Sequence, residues 1–194
     1  MPNQNPKIII LLGRSGSGKG TQAKLLIEEF GLSYISSGKL LRARAQQDDF
    51  TGKNLKKVLD RGDRAPSFLI FQIWSQTISS MREKINKNGL VIDGSPRTLS
   101  EAELIDELLQ WYQWLDIRVI LLDISEQEAF DRLTKRYRSD DKPEAIKERL
   151  AFYRKDVEPA IDHYEKQGRL IKINGEKPIE HVYHDIKQAI NSEN

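Results

Sequence analysis

The chain has 194 residues, of which 38% are apolar and 31% are charged, and its formal net charge is +2. This length suits one domain with a sizeable core, and the near balance of charge gives no sign of general nucleic-acid or membrane binding. The absence of cysteine excludes disulfides and thiolate-bound metals. We expect a cytoplasmic protein, because the first residues lack a signal-peptide pattern and no apolar run is long enough to span a bilayer.

Short apolar strands alternate with helical patterns along the chain. A β-branched run at Lys7–Leu12 predicts a buried strand, and helical periodicity follows up to Phe30, where Gly31 ends the helix. Further strands are predicted at 33–35, 90–93, 119–124 and 170–173, and further helices at 38–47, 52–61, 66–86, 100–112, 126–137, from 143 onward with an interruption near Pro159, and at 179–190. This alternation is typical of an α/β fold with a parallel sheet and helices on both faces. Ligands of such folds bind beyond the carboxyl ends of the strands.

The sharpest motif is GRSGSGKGT, between the first strand and the first helix. In this P-loop pattern the glycines let backbone N–H groups point inward, the helix N-terminus adds positive charge, and the lysine reaches the β- and γ-phosphates. The predicted ATP-binding residues are Gly13, Ser15, Gly16, Ser17, Gly18, Lys19, Gly20 and Thr21. Many P-loops have Ser or Thr directly after the lysine, where this chain has Gly20, so we assign the magnesium-binding hydroxyl to Thr21.

A second dense segment is LVIDGSPRT, at Leu90–Thr98. Asp93 ends a buried strand, which in a parallel sheet places it beside the P-loop, where a carboxylate can hold magnesium. Gly94 allows close backbone approach, and Arg97 offers a forked donor for phosphate. The alternative is that Asp93 merely caps a turn.

Six segments, in this order and spacing, resemble the adenylate kinase family of nucleoside monophosphate kinases. They are GRSGSGKGTQ (Gly13–Gln22), SSGKLLRA (Ser36–Ala43), RGDRAPS (Arg61–Ser67), LVIDGSPRT, RLTKR (Arg132–Arg136) and KERL (Lys147–Leu150). The resemblance implies one P-loop NTPase-like domain over residues 1–194, with a five-stranded sheet. It also implies a helical flap at 36–65 over the monophosphate and a lid at 137–142 over ATP, too short for the zinc-binding lid of some members.

The resemblance further implies a reaction and its residues. The reaction is in-line transfer of a phosphoryl group from ATP, with Mg²⁺ and no zinc, to a nucleoside monophosphate, by default AMP. The monophosphate-binding residues would be Ser37, Arg42, Ala65, Gly94, Arg97 and Glu101. Further ATP-binding residues would be Arg132, Asn174 and Gly175, and the catalytic cations would be Lys19, Arg97, Arg136, Arg138 and Arg149. Such chemistry depends on preorganised cations rather than on a general base, although each arginine has the alternative of a solvated surface charge.

Three residues depart from the family pattern. Lys39 stands in place of the usual Asp, Ser95 in place of Phe, and Glu101 in place of the Gln that reads the AMP base. An ionised glutamate only accepts hydrogen bonds, whereas guanine offers two adjacent donors. Glu101 therefore predicts a shift towards GMP or a relaxed preference, unless it points to solvent and the backbone sets the choice.

Two other functional classes share the P-loop. A non-catalytic nucleotide sensor on the same fold would lose the clamp arginines, which this chain keeps. A GTPase switch needs an N-K-x-D segment and a D-x-x-G segment after a strand, and neither is present. We expect a monomer whose partners are small-molecule nucleotides, and we expect Trp74, Trp111 and Trp114 to be packing residues.

Overall fold

A computed structural model of the chain describes residues 5–136 and 143–191. Five strands form one sheet in the order β2-β3-β1-β4-β5, and all neighbouring pairs are parallel. The strands are β1 (Ile8–Leu12), β2 (Ser33–Ser36), β3 (Leu90–Asp93), β4 (Ile117–Asp123) and β5 (Leu170–Asn174). The predicted parallel five-stranded sheet is confirmed.

The helices occupy the segments between the strands, close to their predicted bounds. They are α1 (Lys19–Phe30), α2 (Ser37–Arg44), α3 (Phe50–Arg61), α4 (Ser67–Asn88), α5 (Leu99–Trp111), α6 (Glu126–Thr134), α7 (Pro143–Phe152), α8 (Glu158–Lys166) and α9 (Ile179–Asn191). Gly31 ends α1 as predicted, with a left-handed φ of 66°.

The predicted interruption of the long C-terminal helix near Pro159 is confirmed. A π-helical turn at Tyr153–Val157 ends two residues before Pro159, which lies in the first turn of α8. Proline is tolerated there, because the N–H groups of a first turn have no partner within the helix. Pro159 also has no N–H to bond with the carbonyl of Lys155 four residues earlier, and Lys155 lies within the π-turn. The π-helical turn therefore lies where the regular α-helical hydrogen bond is missing.

Alternate residues of the central strands pack against helices on opposite faces of the sheet. Ile8 and Ile10 belong to a core cluster with apolar residues of α4, α5 and α8. Ile9 and Leu11 belong to a second cluster, built from α1 and α9. Every residue of β1 is buried, as expected for a strand covered on both faces. Among the tryptophans, Trp74 and Trp114 are buried as predicted, but Trp111 is 83% exposed.

The carboxyl ends of the strands bring the predicted motifs to one edge of the sheet. Leu11, just before the P-loop, is in register with Asp93 at the end of β3. On the other side of β1, β4 ends at Asp123, and Asp123 pairs with Asn174 at the end of β5. The predicted lid at 137–142 lies outside the described residues. None of the helices within 5–136 and 143–191 combines the length and apolar character that crossing a bilayer requires.

Candidate active site

A cleft of about 890 Å³ opens at this edge of the sheet. The P-loop, Asp93 and Gly94 line it together with arginines from several other segments. These arginines are Arg42 of α2, Arg97 after β3, Arg132 of α6, Arg136 after α6, and Arg149 of α7. The structure thus places the predicted cations around one volume, apart from Arg138, which lies outside the described residues.

Two P-loop positions require glycine for conformation and for space. Gly13 has a φ of 136°, and a Cβ there would lie 2.4 Å from the carbonyl oxygen of Leu122. Gly16 has a φ of 87°, and its Cβ would lie 2.9 Å from the carbonyl oxygen of Ala129. The loop is therefore pressed against the end of β4 and against α6, with no room for side chains at these points.

The Lys19 ammonium lies inside the P-loop. It donates to the carbonyl oxygens of Gly13 and Arg14 at 2.7 and 2.8 Å, and to the Ser17 hydroxyl at 3.2 Å. Burial is the main cause that lowers the pKa of Lys19 to about 8; the positive charges of Arg97 and Arg136 act in the same direction, and Asp93 opposes them. The electrostatic influence of both arginines on the ammonium shows that they share its surroundings.

Arg97 is, like Lys19, a half-buried cation of the cleft. Its Nε donates to the Gly94 carbonyl oxygen at 2.8 Å. Burial lowers the pKa of Arg97, the carboxylates of Glu101 and Asp93 oppose this, and the charges of Arg149 and Arg42 add to it. Several cations thus repel one another across this cleft, which is the arrangement expected of a site built for a highly charged anion.

Asp93 is held at the mouth of the P-loop by a residue that the sequence did not indicate. The Tyr34 hydroxyl donates to its Oδ2 at 2.9 Å, and a Cβ on Gly20 would lie 3.8 Å from the same oxygen. The side chain of Lys39 lies over the Tyr34 ring, with its ammonium 4.8 Å from the ring centre.

Thr21, the other predicted magnesium ligand, lines the same cleft as Asp93. One carboxylate and one hydroxyl beside a phosphate site suit Mg²⁺, which takes few protein ligands and binds substrate phosphates. Within the described residues there is no group of three or more metal-binding His, Asp or Glu side chains.

Ser37 does not line the cleft, although its neighbours Ser36 and Gly38 do. Its hydroxyl is buried, 2.6 Å from the Ser95 hydroxyl, and accepts a hydrogen bond from the Trp74 indole N–H at 2.8 Å. Ser95, one of the three departures, therefore serves as a partner for Ser37. The predicted phosphate-binding hydroxyl is engaged by two core side chains.

Glu101 does not point to solvent, because it is only 3% exposed. Its Oε2 accepts the backbone N–H of Arg97 at 2.7 Å, while the Thr98 hydroxyl accepts the N–H of Glu101 at 3.2 Å. This resembles a capping box at the start of α5, and the T-x-x-E pattern in the sequence could have indicated it. The other oxygen, Oε1, lies 3.4 Å from the Ser67 hydroxyl and 3.7 Å from Arg64 Nη1.

The remaining predicted residues lie around these groups. Ala65 is buried between Arg64 and α4. Arg132 pairs with Glu128, one turn away on α6, at 2.6 Å, so its planar group is fixed at the cleft. Gly175 donates its N–H to the Asp123 carbonyl at 2.8 Å, and a Cβ on it would lie 3.4 Å from the Ser17 carbonyl oxygen. The end of β5, with Asn174, is thus close to the P-loop.

Comparison with known proteins adds independent findings. A family model described as adenylate kinase matches residues 11–169. The adenylate kinase of Chlamydia muridarum is 33% identical over 229 aligned positions, covering 99% of this chain and 90% of that protein. That of Phocaeicola vulgatus is 36% identical over 187 positions (94% and 97%), and that of Bacteroides fragilis is 35% identical over 189 positions (95% and 98%).

Proposed function

Because this chain belongs to the adenylate kinase family, whose reaction is ATP-dependent phosphoryl transfer to AMP, we propose that the cleft lined by Lys19 and the arginines is where this transfer takes place. The protein is a nucleoside monophosphate kinase, and the family does not favour the GMP-preferring enzyme or the non-catalytic sensor considered from the sequence. The observation that carries the assignment is the convergence of cations on one cleft, where Arg97 and Arg136 both act on the pKa of Lys19.

The P-loop would hold the phosphates of ATP through its inward N–H groups and Lys19. Arg132, together with the backbone of Asn174 and Gly175, would flank the ATP base. Their closeness to the P-loop supports this. Thr21 and Asp93 would hold Mg²⁺, which neutralises charge on the β- and γ-phosphates when bound.

Arg42 and Arg97 would bind the phosphate of AMP, with the backbone near Gly94 and Ala65 beside it. Ser37 would contribute through its position at the start of α2, since its hydroxyl is bonded to Ser95 and Trp74. An AMP phosphate oxygen then forms a bond to the γ-phosphorus of ATP as the bond from that phosphorus to the β–γ bridging oxygen breaks. Both products are ADP.

Arg136 and Arg149 would stabilise the negative charge spread over the transferring group. Arg138 is proposed for the same role from its position in RLTKRYR alone. The geometry supports a shared role, because Arg149 of α7 and Arg136, which follows α6, line the same cleft. These segments flank residues 137–142, the proposed lid, and apolar side chains of α6 and α7 pack together. The flap at 36–65 would close from the monophosphate side.

We also propose that the enzyme works as a cytoplasmic monomer without nucleic-acid or membrane partners. The near balance of charge supports the lack of nucleic-acid and membrane partners, the lack of cysteine fits a reducing compartment, and a monomer is the simplest state for a small core with flaps. Light scattering coupled to size-exclusion chromatography, with and without ATP, would test the oligomeric state, and a stable dimer would contradict it.

The test of the catalytic assignment is substitution of Arg149 by Ala in an assay of ADP formation from Mg-ATP and AMP. A clamp arginine contributes about 10³–10⁵ in rate, so we expect kcat to fall by at least about 10³ with an unchanged melting temperature. Arg61→Ala is the matched control, because Arg61 is exposed at the end of α3 and does not line the cleft. Equal activity of both variants would refute the role of Arg149.

A further inference from the structure

The side chain of Arg14, the second residue of the P-loop, lies over an aromatic ring. Its Cζ is 4.0 Å from the centre of the Tyr153 ring. Arg14 is half-buried, and its Nε is shielded from solvent and has no hydrogen-bond partner. Ser15 and Gly16, which follow it in the P-loop, line the cleft, but Arg14 does not. The guanidinium is therefore directed to the segment after α7 rather than to the phosphate site.

Tyr153 connects this contact to a proposed catalytic arginine. It follows α7 directly, is the first residue of the π-helical turn, and is 6% exposed. It stands four residues after Arg149, so the two side chains lie one helical turn apart on the same face. Both line a small cavity of about 40 Å³ that Ser15 and Lys19 of the P-loop also line. The P-loop and the helix that carries Arg149 thus face each other at this point.

Charge opposes the approach of these two segments. α7 brings Arg149 to a cleft that already holds Lys19 and Arg97, and the charge of Arg149 contributes to lowering the pKa of Arg97. An acidic partner could hold the segments together, but it would cancel part of the positive charge that phosphate binding needs. An aromatic ring attracts a guanidinium and carries no net charge. Burial raises the pKa of Tyr153 to about 12 although the charge of Arg14 opposes this, so the ring stays neutral at physiological pH.

From this geometry we propose that Arg14 and Tyr153 are positioning residues, whose stacking holds α7 against the P-loop and thereby fixes Arg149 in the cleft. The inference rests on the proposed function, because it explains how an arginine assigned there is held in place. The contact requires no bound anion, so Arg149 is placed before the nucleotides bind. Placement of this kind lowers the cost of assembling the cations around the transferring group.

The experiment measures kcat and the KM for ATP in the formation of ADP from Mg-ATP and AMP. The variants are Y153L, Y153F, R149A and Y153L/R149A, with Y112L as the control. A cation–π contact shielded from solvent favours the held arrangement by about 10- to 30-fold, so we expect Y153L to lower kcat by that factor. The KM for ATP should stay within about threefold of the wild type, because the lost stabilisation concerns the transition state. Y153F should keep kcat within about twofold of the wild type, because a phenyl ring also attracts a guanidinium.

Two comparisons separate positioning from a general loss of stability. Without the Arg149 guanidinium the stacking has nothing to position, so kcat of Y153L/R149A should lie within about twofold of kcat of R149A alone. Y112L makes the same change at a half-buried tyrosine outside the cleft, whose ring also has a guanidinium near it, that of Arg82 at 5.9 Å. This control should retain the kcat of the wild type.

The inference is overturned if Y153L keeps the kcat of the wild type, if Y153F loses as much as Y153L, or if the change to leucine lowers kcat by the same factor with and without Arg149. Should Y153L prove unfolded by circular dichroism, R14L and R14L/R149A decide in the same way, because Arg14 is the other side of the contact. Failure of the proposed function is a separate result, since the wild type would then form no ADP from ATP and AMP, or R149A would be as active as the wild type.

Discussion

Replacement of Lys19 by methionine should abolish ATP binding and yet stabilise the nucleotide-free protein. Lys19 lies half-buried in the P-loop among other cations, and its pKa is lowered from 10.5 to about 8. Burial of an ammonium ion is costly unless its partners compensate fully. Methionine has a similar length and shape, but it carries no charge.

The size of the effect follows from the pKa. A change from 10.5 to about 8 corresponds to about 3 kcal/mol of unfavourable folding free energy while the lysine is protonated. The methionine variant also loses the hydrogen bonds to the carbonyl oxygens of Gly13 and Arg14. Because these carbonyls lie at an open cleft and can bind water instead, we expect a net gain of about 1–3 kcal/mol in the free energy of unfolding at pH 7.

The pH dependence identifies the cause. The pKa of the folded state lies below that of the unfolded state, so the unfolded state binds more protons between pH 8 and pH 10.5. The penalty from Lys19 is fully present below pH 8 and disappears as the pH rises to 10.5. The stability advantage of Lys19→Met should therefore be largest at pH 7 and shrink towards pH 10.5.

Urea unfolding of both proteins at pH 7, 8.5 and 10, without nucleotide, measures this difference. Lys84→Met is the control, since Lys84 is exposed on α4 and should change stability by less than about 0.5 kcal/mol at any of these values. A methionine variant of Lys19 that is less stable than the wild type at pH 7, or whose advantage does not vary with pH, would refute the reasoning.

Two further predictions concern the flap and the metal site. Gly62 has a φ of 82°, and a Cβ there would lie 2.7 Å from Ala145 Cα, so Gly62→Ala should lower the free energy of unfolding by at least about 1 kcal/mol more than Gly31→Ala. Gly31 has a similar φ but open space around it, so equal losses in thermal unfolding would contradict this. Tyr34→Phe removes the hydrogen bond to Asp93, so calorimetry should show ATP binding about 3- to 10-fold weaker with Mg²⁺ and unchanged without it; an equal change in both would contradict the prediction.

The sequence was sufficient for the fold because the fold depends on local patterns. The apolar run at Lys7–Leu12 could only be a covered strand, and the glycines that follow it leave few conformations other than a P-loop. Asp93 was predictable for the same reason, since a parallel register fixes where neighbouring strands end. The exposure of Trp111 was not predictable, because the last turn of α5 carries it away from both core clusters.

The contacts that orient the side chains of the site could not be predicted from the sequence, because they join distant parts of the chain. Tyr34 and Asp93 are 59 residues apart, and Ser37 and Ser95 are 58 apart. No helical or strand periodicity connects such positions. Each side chain taken alone is also typical of its own strand or helix end, so nothing in the local sequence indicates its partner. Only the register of β2 beside β3, which pairs Ser36 with Asp93, brings them together.

The three departures from the family pattern share a physical logic. Each new side chain has a partner elsewhere in the chain: Ser95 has Ser37, Lys39 has the Tyr34 ring, and Glu101 has Arg64. A buried polar group that loses its partner costs about 1–3 kcal/mol, and more if it is charged, so Ser95 and Glu101, which are both buried, depend on their partners for stability. Changing Glu101 alone to glutamine leaves the Arg64 charge without its carboxylate, whereas changing Arg64 to leucine as well removes the unpaired charge. The identity of one residue in this site is thus informative only together with the residue it contacts.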